Sequence, residues 1–144
     1  MENKLVLKDV KVLFVEVKDV DFGSSITLDV TDDKIRKEIE QFYTTEGLTP
    51  KFKDYTNKNG ETTKQFSIKL ASFIKVQDEN GVDYNLDDLE TKAQDIKLAF
   101  GSRINIAIRT YLYNNKFGSG KSTSVSAIKI VKGAEIKNDM DDLN

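Results

Sequence analysis

The sequence predicts a mainly β protein: a small β-barrel with one main α-helix, ending in a disordered acidic C-terminal tail. Three observations predict it. Apolar residues alternate with polar ones along several segments, as half-buried strands require. One segment has clear helical spacing. No regular alternation of strand and helix patterns marks βαβ units. The 144 residues suit one domain with a single core, expected over 1–133, with a flexible tail over 134–144.

Residues 5–20 read as one or two strands, because Leu5, Val6, Leu7, Val10, Val12, Leu13, Phe14, Val15 and Val17 make them densely apolar and β-branched. Residues 21–25 read as a turn. Ile26, Leu28 and Val30 then alternate with Thr27 and Asp29, the mark of a half-buried strand. Over 31–46 the period changes. Ile35, Ile39, Phe42 and Tyr43 fall at helical spacing, behind a cap and an acidic first turn supplied by Thr31, Asp32 and Asp33. Gly47 stops this helix and Pro50 keeps it from resuming. Residues 51–76 read as a long hairpin turning at Asn59-Gly60. Its return arm alternates through Phe66, Ile68 and Leu70, then slips phase near Ser72 and Phe73, which predicts a bulge or bend. Residues 78–81 form another turn, and 86–98 fit either a short helix or a structured loop. Residues 102–113 are the clearest strand. A glycine-rich loop is expected over 114–121, and a last strand carries Val125, Ala127, Ile128, Ile130 and Val131.

Composition narrows the chemistry. The chain has no Cys and no His, so Ser-His and Cys-His nucleophile pairs and the usual zinc sites are impossible. Carboxylate, Lys, Tyr or oxygen-ligated metal chemistry remains, and an enzyme is disfavoured; no cofactor or metal is expected. No apolar run is long enough to cross a bilayer, and the first residues lead into a strand without a signal-peptide layout, so a cytoplasmic location is expected, the host cytoplasm if a phage encodes the chain. The net charge is −2. In 134–144, Glu135, Asp139, Asp141 and Asp142 stand against Lys137, a balance of 1 − 4 = −3, which leaves the body at +1. A body near neutrality can still carry a basic stripe.

One strand face is the strongest functional feature. Single-stranded nucleic acid needs cations along its phosphates and flat rings for its unpaired bases. Period-two geometry puts Arg103, Arg109, Tyr111 and Tyr113 on one side of their strand, opposite Ile104, Ile106, Ile108 and Leu112. Arginine stacks as well as pairs with phosphate. The hairpin adds Lys51, Lys53, Lys58, Lys64 and Lys69, interleaved with Phe52, Tyr55 and Phe66. Phe66 shares the inward phase of Ile68, while Phe52 and Tyr55 have opposite parity, so at least one of these two faces solvent or ligand. Solvated edge lysines that discourage strand-to-strand pairing are the plainer reading of the same residues. Lys116 and Lys121 lie in the glycine-rich segment as candidate backbone contacts. The run Gly120-Lys121-Ser122 resembles part of a P-loop, but that pattern needs glycine at position 115, where the chain has Asn115, and a helix where it has a strand pattern. The turn Asp78-Glu79-Asn80-Gly81 has its glycine two positions too early for an EF-hand, and Asp87, Asp88 and Glu90 read as a solvated or capping cluster. The tail combines acidic charge with spaced apolar residues, and Asp139, Met140, Asp141, Asp142 and Leu143 are its candidate partner-binding residues.

The stretch Phe100-Gly101-Ser102-Arg103-Ile104-Asn105-Ile106, then Tyr111-Leu112-Tyr113-Asn114-Asn115, the glycines at 118 and 120, and Ser126-Ala127-Ile128-Lys129-Ile130-Val131 resemble the final hairpin of a group of phage single-stranded-DNA-binding proteins. That OB-fold group includes the gene-2.5-like proteins of short-tailed phages and related proteins of Gram-positive phages. Pro50-Lys51-Phe52-Lys53-Asp54 resembles the start of the group's lysine-rich hairpin. The resemblance covers the C-terminal two thirds of the chain at the level of pattern. It departs at the end, where many members finish on an aromatic residue and this chain finishes Leu143-Asn144. It implies an OB-like barrel that coats unwound DNA in phage replication or recombination, with the tail docking on a polymerase, helicase-primase or recombinase. The sequence leaves the oligomeric state open, a homodimer included. The alternative from another class is a non-enzymatic phage accessory or virion β-protein that binds protein partners.

Overall fold

Strand alternation closes this chain into a ring whose inside is apolar and whose outside is set by register. The computed structural model describes residues 4–16, 24–86, 88–89, 96–116 and 118–133. Its strands are β1 (Lys4–Glu16), β2 (Ser25–Asp29), β3 (Lys53–Thr56), β4 (Thr62–Gln77), β5 (Asp83–Tyr84), β6 (Arg103–Asn115) and β7 (Gly118–Lys132), with helix α1 (Asp33–Thr45) between β2 and β3. β1 pairs with β2, β2 with β4, β4 with β7, β7 with β6, and β6 with β1, so the ring closes. Only the β4–β7 pairing in it is parallel, which gives the OB-like arrangement. β3 and β5 pair onto β4 outside the ring path.

The interior is built from the alternate residues the sequence marks: Leu7, Val10, Val12, Ile26, Leu28, Phe66, Ile68, Ile104, Ile106, Ile108, Ile128 and Ile130 are all buried. α1 forms where expected. Asp32 caps it by accepting from the Lys34 N–H at 2.7 Å, and Gly47 leaves it at φ +75°. Its buried residues Ile39 and Tyr43 join the core. The Tyr43 ring meets Phe66 edge-on at 5.7 Å, and its hydroxyl shares a 2.6 Å hydrogen bond with Thr123 of β7. Between 86 and 98, the described residues Leu89, Ile96 and Leu98 are buried. Among the described residues no helix is long and apolar enough to cross a membrane.

One expectation is corrected. The glycine-rich loop expected over 114–121 is a strand hairpin, with Asn114 paired to Ser119 and Asn115 to Gly118. Gly118 takes φ +134°, which the tight reversal uses, and Gly120 leaves room for the Tyr113 ring directly opposite. A Cβ at position 120 meets the Tyr113 hydroxyl oxygen at 2.6 Å. The phase slip at Ser72 and Phe73 is a bulge: Leu70 pairs with Val125 but Lys75 pairs with Ala127. A second irregularity at Asp9, with φ +55°, bends β1 beside β6. The turn expected over 21–25 lies mostly outside the described residues, and the acidic tail lies wholly outside them.

Candidate nucleic-acid interface

Register decides which side chains share a surface, because directly paired residues point the same way. On β6, Ile104, Ile106 and Ile108 point into the ring, so Arg103, Asn105, Ala107, Arg109, Tyr111 and Tyr113 share the outward side. β1 adds Lys4 opposite Arg109, Val6 opposite Ala107, and Lys11 opposite Arg103. β7 adds Lys132 opposite Arg103, Lys129 opposite Asn105, and Ala127 opposite Ala107. β4 then contributes Lys75 beside Ala127. The result is a continuous face across β1, β6, β7 and β4. At its centre Val6, Ala107 and Ala127 line a shallow trough of about 340 Å3, with Lys75, Asn105 and Lys129 around it and Gln77 and the carboxylate of Asp83 at its β4–β5 side. The two tyrosines extend one end of this face along the projecting β6–β7 hairpin, Tyr111 36% and Tyr113 42% exposed.

The cations on this face are held in different ways. The Arg103 guanidinium donates to the Asp9 carboxylate from Nε at 3.0 Å and Nη2 at 3.1 Å. Asp9 is itself fixed, its backbone N–H donating to Asn105 Oδ1 at 2.9 Å. The hydrogen bond from Arg103, and then its charge, hold the Asp9 carboxyl below the usual carboxylate range, and Asp9 in turn raises Arg103. Arg103 is therefore a pinned, planar cation rather than a swinging one. Lys11 lies over the Phe100 ring at 4.9 Å, and Phe100 is 65% exposed. Lys129 donates to Gln77 at 2.7 Å.

The other sequence-derived candidates divide. Lys53 and Tyr55 lie on β3 opposite Gln65 and Thr63. They fall on a second outward surface that includes Phe14, Ser67 and Lys69 by register, with Thr27 buried beneath it and its hydroxyl hydrogen-bonded to Ser67 at 2.7 Å. Tyr55 is well exposed, whereas Phe52 turns inward and packs on Phe66 at 5.5 Å. Lys51 is exposed just before β3. Lys64 pairs with Asp54 at 3.1 Å. Lys121 reaches Glu46, whose carboxylate is almost wholly buried, at 3.1 Å and so straps the hairpin to the end of α1. Lys116 stands exposed at the hairpin tip. Residues 139–143 lie outside the described residues. Sequence reasoning missed Lys4, Lys11, Lys75, Lys129 and Lys132 as partners of Arg103 and Arg109. The alternation of Lys129 with Ile128 and Ile130 was a signal for one of them; the rest depend on cross-strand pairing. Among the described residues no cluster of acidic side chains is arranged to hold a metal ion.

No protein-family model and no curated protein matches the chain. Among solved structures, a C-terminally truncated single-stranded DNA-binding protein from bacteriophage Enc34 is similar, with 17% identity over 94% of this chain and 89% of that one and a TM-score of 0.61. The Enc34 protein in complex with single-stranded DNA gives 16% identity, 94% and 90% coverage, and a TM-score of 0.60. The chain has the fold of phage single-stranded-DNA-binding proteins. Bacteriophage T7 gp2.5, a single-stranded DNA-binding protein, is matched at 13% identity with a TM-score of 0.46, a likeness too faint to build on.

Proposed function

We propose that this protein binds single-stranded DNA without catalysis, along the outward face of β1, β6, β7 and β4. The observation that carries the reading is the convergence, on one face, of Arg103, Arg109, Tyr111 and Tyr113 with Lys4, Lys11, Lys75 and Lys129. Lysines there contact phosphates, and their encounter with DNA releases counterions. The alanines at 107 and 127 keep the centre of the face low, so a strand lies close to the sheet. Tyr111 and Tyr113 offer rings to unpaired bases, and the pinned plane of Arg103 offers another flat surface. A duplex hides its base faces, so this arrangement favours single strands with little sequence preference. The Enc34 protein with the same fold was solved with single-stranded DNA, which supports the same ligand class here. The biological role that fits is the coating of unwound DNA in phage replication or recombination, with residues 134–144 docking on a replication protein.

Fluorescence anisotropy with labelled oligo-dT and with duplex DNA, across a salt series, tests the reading. The expected result is preferential oligo-dT binding whose log K falls with log[salt] at about −0.7 per phosphate contacted. Absence of binding at micromolar protein, or tighter binding to duplex, overturns it and favours a protein-binding accessory role.

A further inference from the structure

The bulge on β4 displays an aromatic ring that the rest of the fold does not use. Between the pairings Leu70–Val125 and Lys75–Ala127, β4 advances five residues while β7 advances two, so the surplus is pushed outward. Phe73 sits in that surplus beside the exposed Ser72 and is itself 69% exposed, between the buried Ala71 and Ile74. Phe66 belongs to the apolar core, and Phe42 and Phe52 pack against it; Phe73 does neither. Along β4 it is bracketed by the exposed Lys69 and Lys75. Lys75 already belongs to the proposed DNA face, beside Ala127, whereas Lys69 lies opposite Ser25 on the next surface around the ring. Phe73 thus stands where the two surfaces meet.

We propose that Phe73 is a second base-stacking station, at which bound DNA leaves the β1–β6–β7 face and turns around β4 towards Lys69. This inference rests on the single-strand-binding reading and sets the length of DNA engaged. On β7, the stretch between Gly120, opposite Tyr113, and Ala127, beside Lys75, is about 20 Å long. A short strand engages that stretch alone, and only a longer one reaches Phe73. The bracketing lysines favour a polyanion over an apolar protein partner, since an isolated ring between two cations suits a stacked base with a phosphate on either side.

The test compares wild type, Phe73→Ala and Phe73→Trp on oligo-dT of about 5 and about 16 nucleotides, the range such barrels cover. Phe73→Ala is expected to weaken the long oligonucleotide roughly five- to a hundredfold and to leave the short one unchanged, while Phe73→Trp retains long-strand affinity. Equal affinity of Phe73→Ala and wild type for the long strand overturns the inference, as does an equal loss on both lengths, which marks an effect through the fold. If wild type binds neither oligonucleotide, the single-strand-binding reading itself fails, an outcome distinct from an unaffected variant.

Discussion

Replacing Asp9 with Asn separates two roles for Arg103 by the sign of the effect. The substitution keeps the side chain's size, and Asn tolerates the φ of +55° that Asp9 adopts. It removes the carboxylate that receives both Arg103 nitrogens and changes the net charge from −2 to −2 + 1 = −1. If Arg103 serves as one more phosphate-pairing cation, releasing it from Asp9 tightens DNA binding and steepens the salt dependence by about 0.7 in slope, one further contact on a single strand. If Arg103 serves as a fixed plane, the released side chain must be ordered again whenever DNA binds. Immobilising one such side chain weakens affinity roughly two- to tenfold, with the slope unchanged.

The geometry favours the plane, because two parallel donations to a carboxylate fix the guanidinium's orientation while its side chain stays 40% exposed. The expectation is therefore weaker oligo-dT binding by a protein made less negative. Salt-titrated anisotropy reads both numbers. Tighter binding with a steeper slope refutes the argument. The pH dependence follows with the same sign. The Asp9 carboxyl is held low by the Arg103 hydrogen bond and charge, so the pin persists from neutral pH down through the ordinary carboxylate range. It is lost only as pH falls through the lowered value.

Gly120→Ala pushes the Tyr113 ring off its seat and is expected to lower oligo-dT affinity with little change in melting temperature; unchanged affinity means that the ring's resting place does not matter to binding. Tyr43→Phe leaves the buried Thr123 hydroxyl without its 2.6 Å partner, for an expected loss of about 1–3 kcal/mol in urea unfolding. The Asp78 carboxylate is held below its ordinary value of 3.8, chiefly by the Val82 N–H and also by the Asn80 N–H and Tyr84 hydroxyl; its contribution to stability is present above that ordinary value and lost as pH falls through the lowered one. Melting curves of wild type and Asp78→Asn are thus expected to differ at pH 6 and to converge in acid. If the segment 134–144, of charge −3, competes with DNA for the proposed face, deleting it tightens oligo-dT binding at low salt, and the gain shrinks as salt screens both contacts; equal affinity at low salt marks the segment as inert towards DNA.

What was legible in the sequence is what a single strand determines. Period two assigns Ile104, Ile106 and Ile108 inward and Arg103, Arg109, Tyr111 and Tyr113 outward without knowledge of any partner strand. What was illegible depends on contacts between distant segments. Parity sets Phe52 and Tyr55 on opposite sides of their strand, but only Phe66 on β4 decides that Phe52 is the one taken inward. Lys121 reads as a free cation until α1 delivers Glu46, 75 residues away, to its side. The glycines at 118 and 120 read as a loop because glycine is disfavoured within strands, yet the Tyr113 ring covers Gly120 and supplies the packing that glycine lacks. Lys4, Lys75 and Lys129 join Arg109 only through cross-strand register, and bulges at Asp9 and Phe73 help set that register.

The net charge points away from a polyanion, and the fold explains how the face escapes that average. Turns and helix starts leave backbone N–H groups without partners, and short acidic side chains satisfy them. Asp29 accepts from the Thr31 N–H, Asp32 from Lys34, and Asp78 from Asn80 and Val82. Glu79 accepts from Gly133, at the end of β7. These carboxylates are gathered at element ends by the hydrogen bonds they make. Lysine carries no acceptor and gains nothing at such sites, but its long stem suits an outward mid-strand position, where Lys75 and Lys129 stand. Turn chemistry and strand alternation therefore draw many of the carboxylates away from the lysine-bearing strand faces, whatever the sum, while Asp9 and Asp83 stay beside that face. The counterion release expected on binding DNA depends on the face and not on the sum. A protein of net charge −2 presents in this way the cationic face that the proposed DNA binding requires.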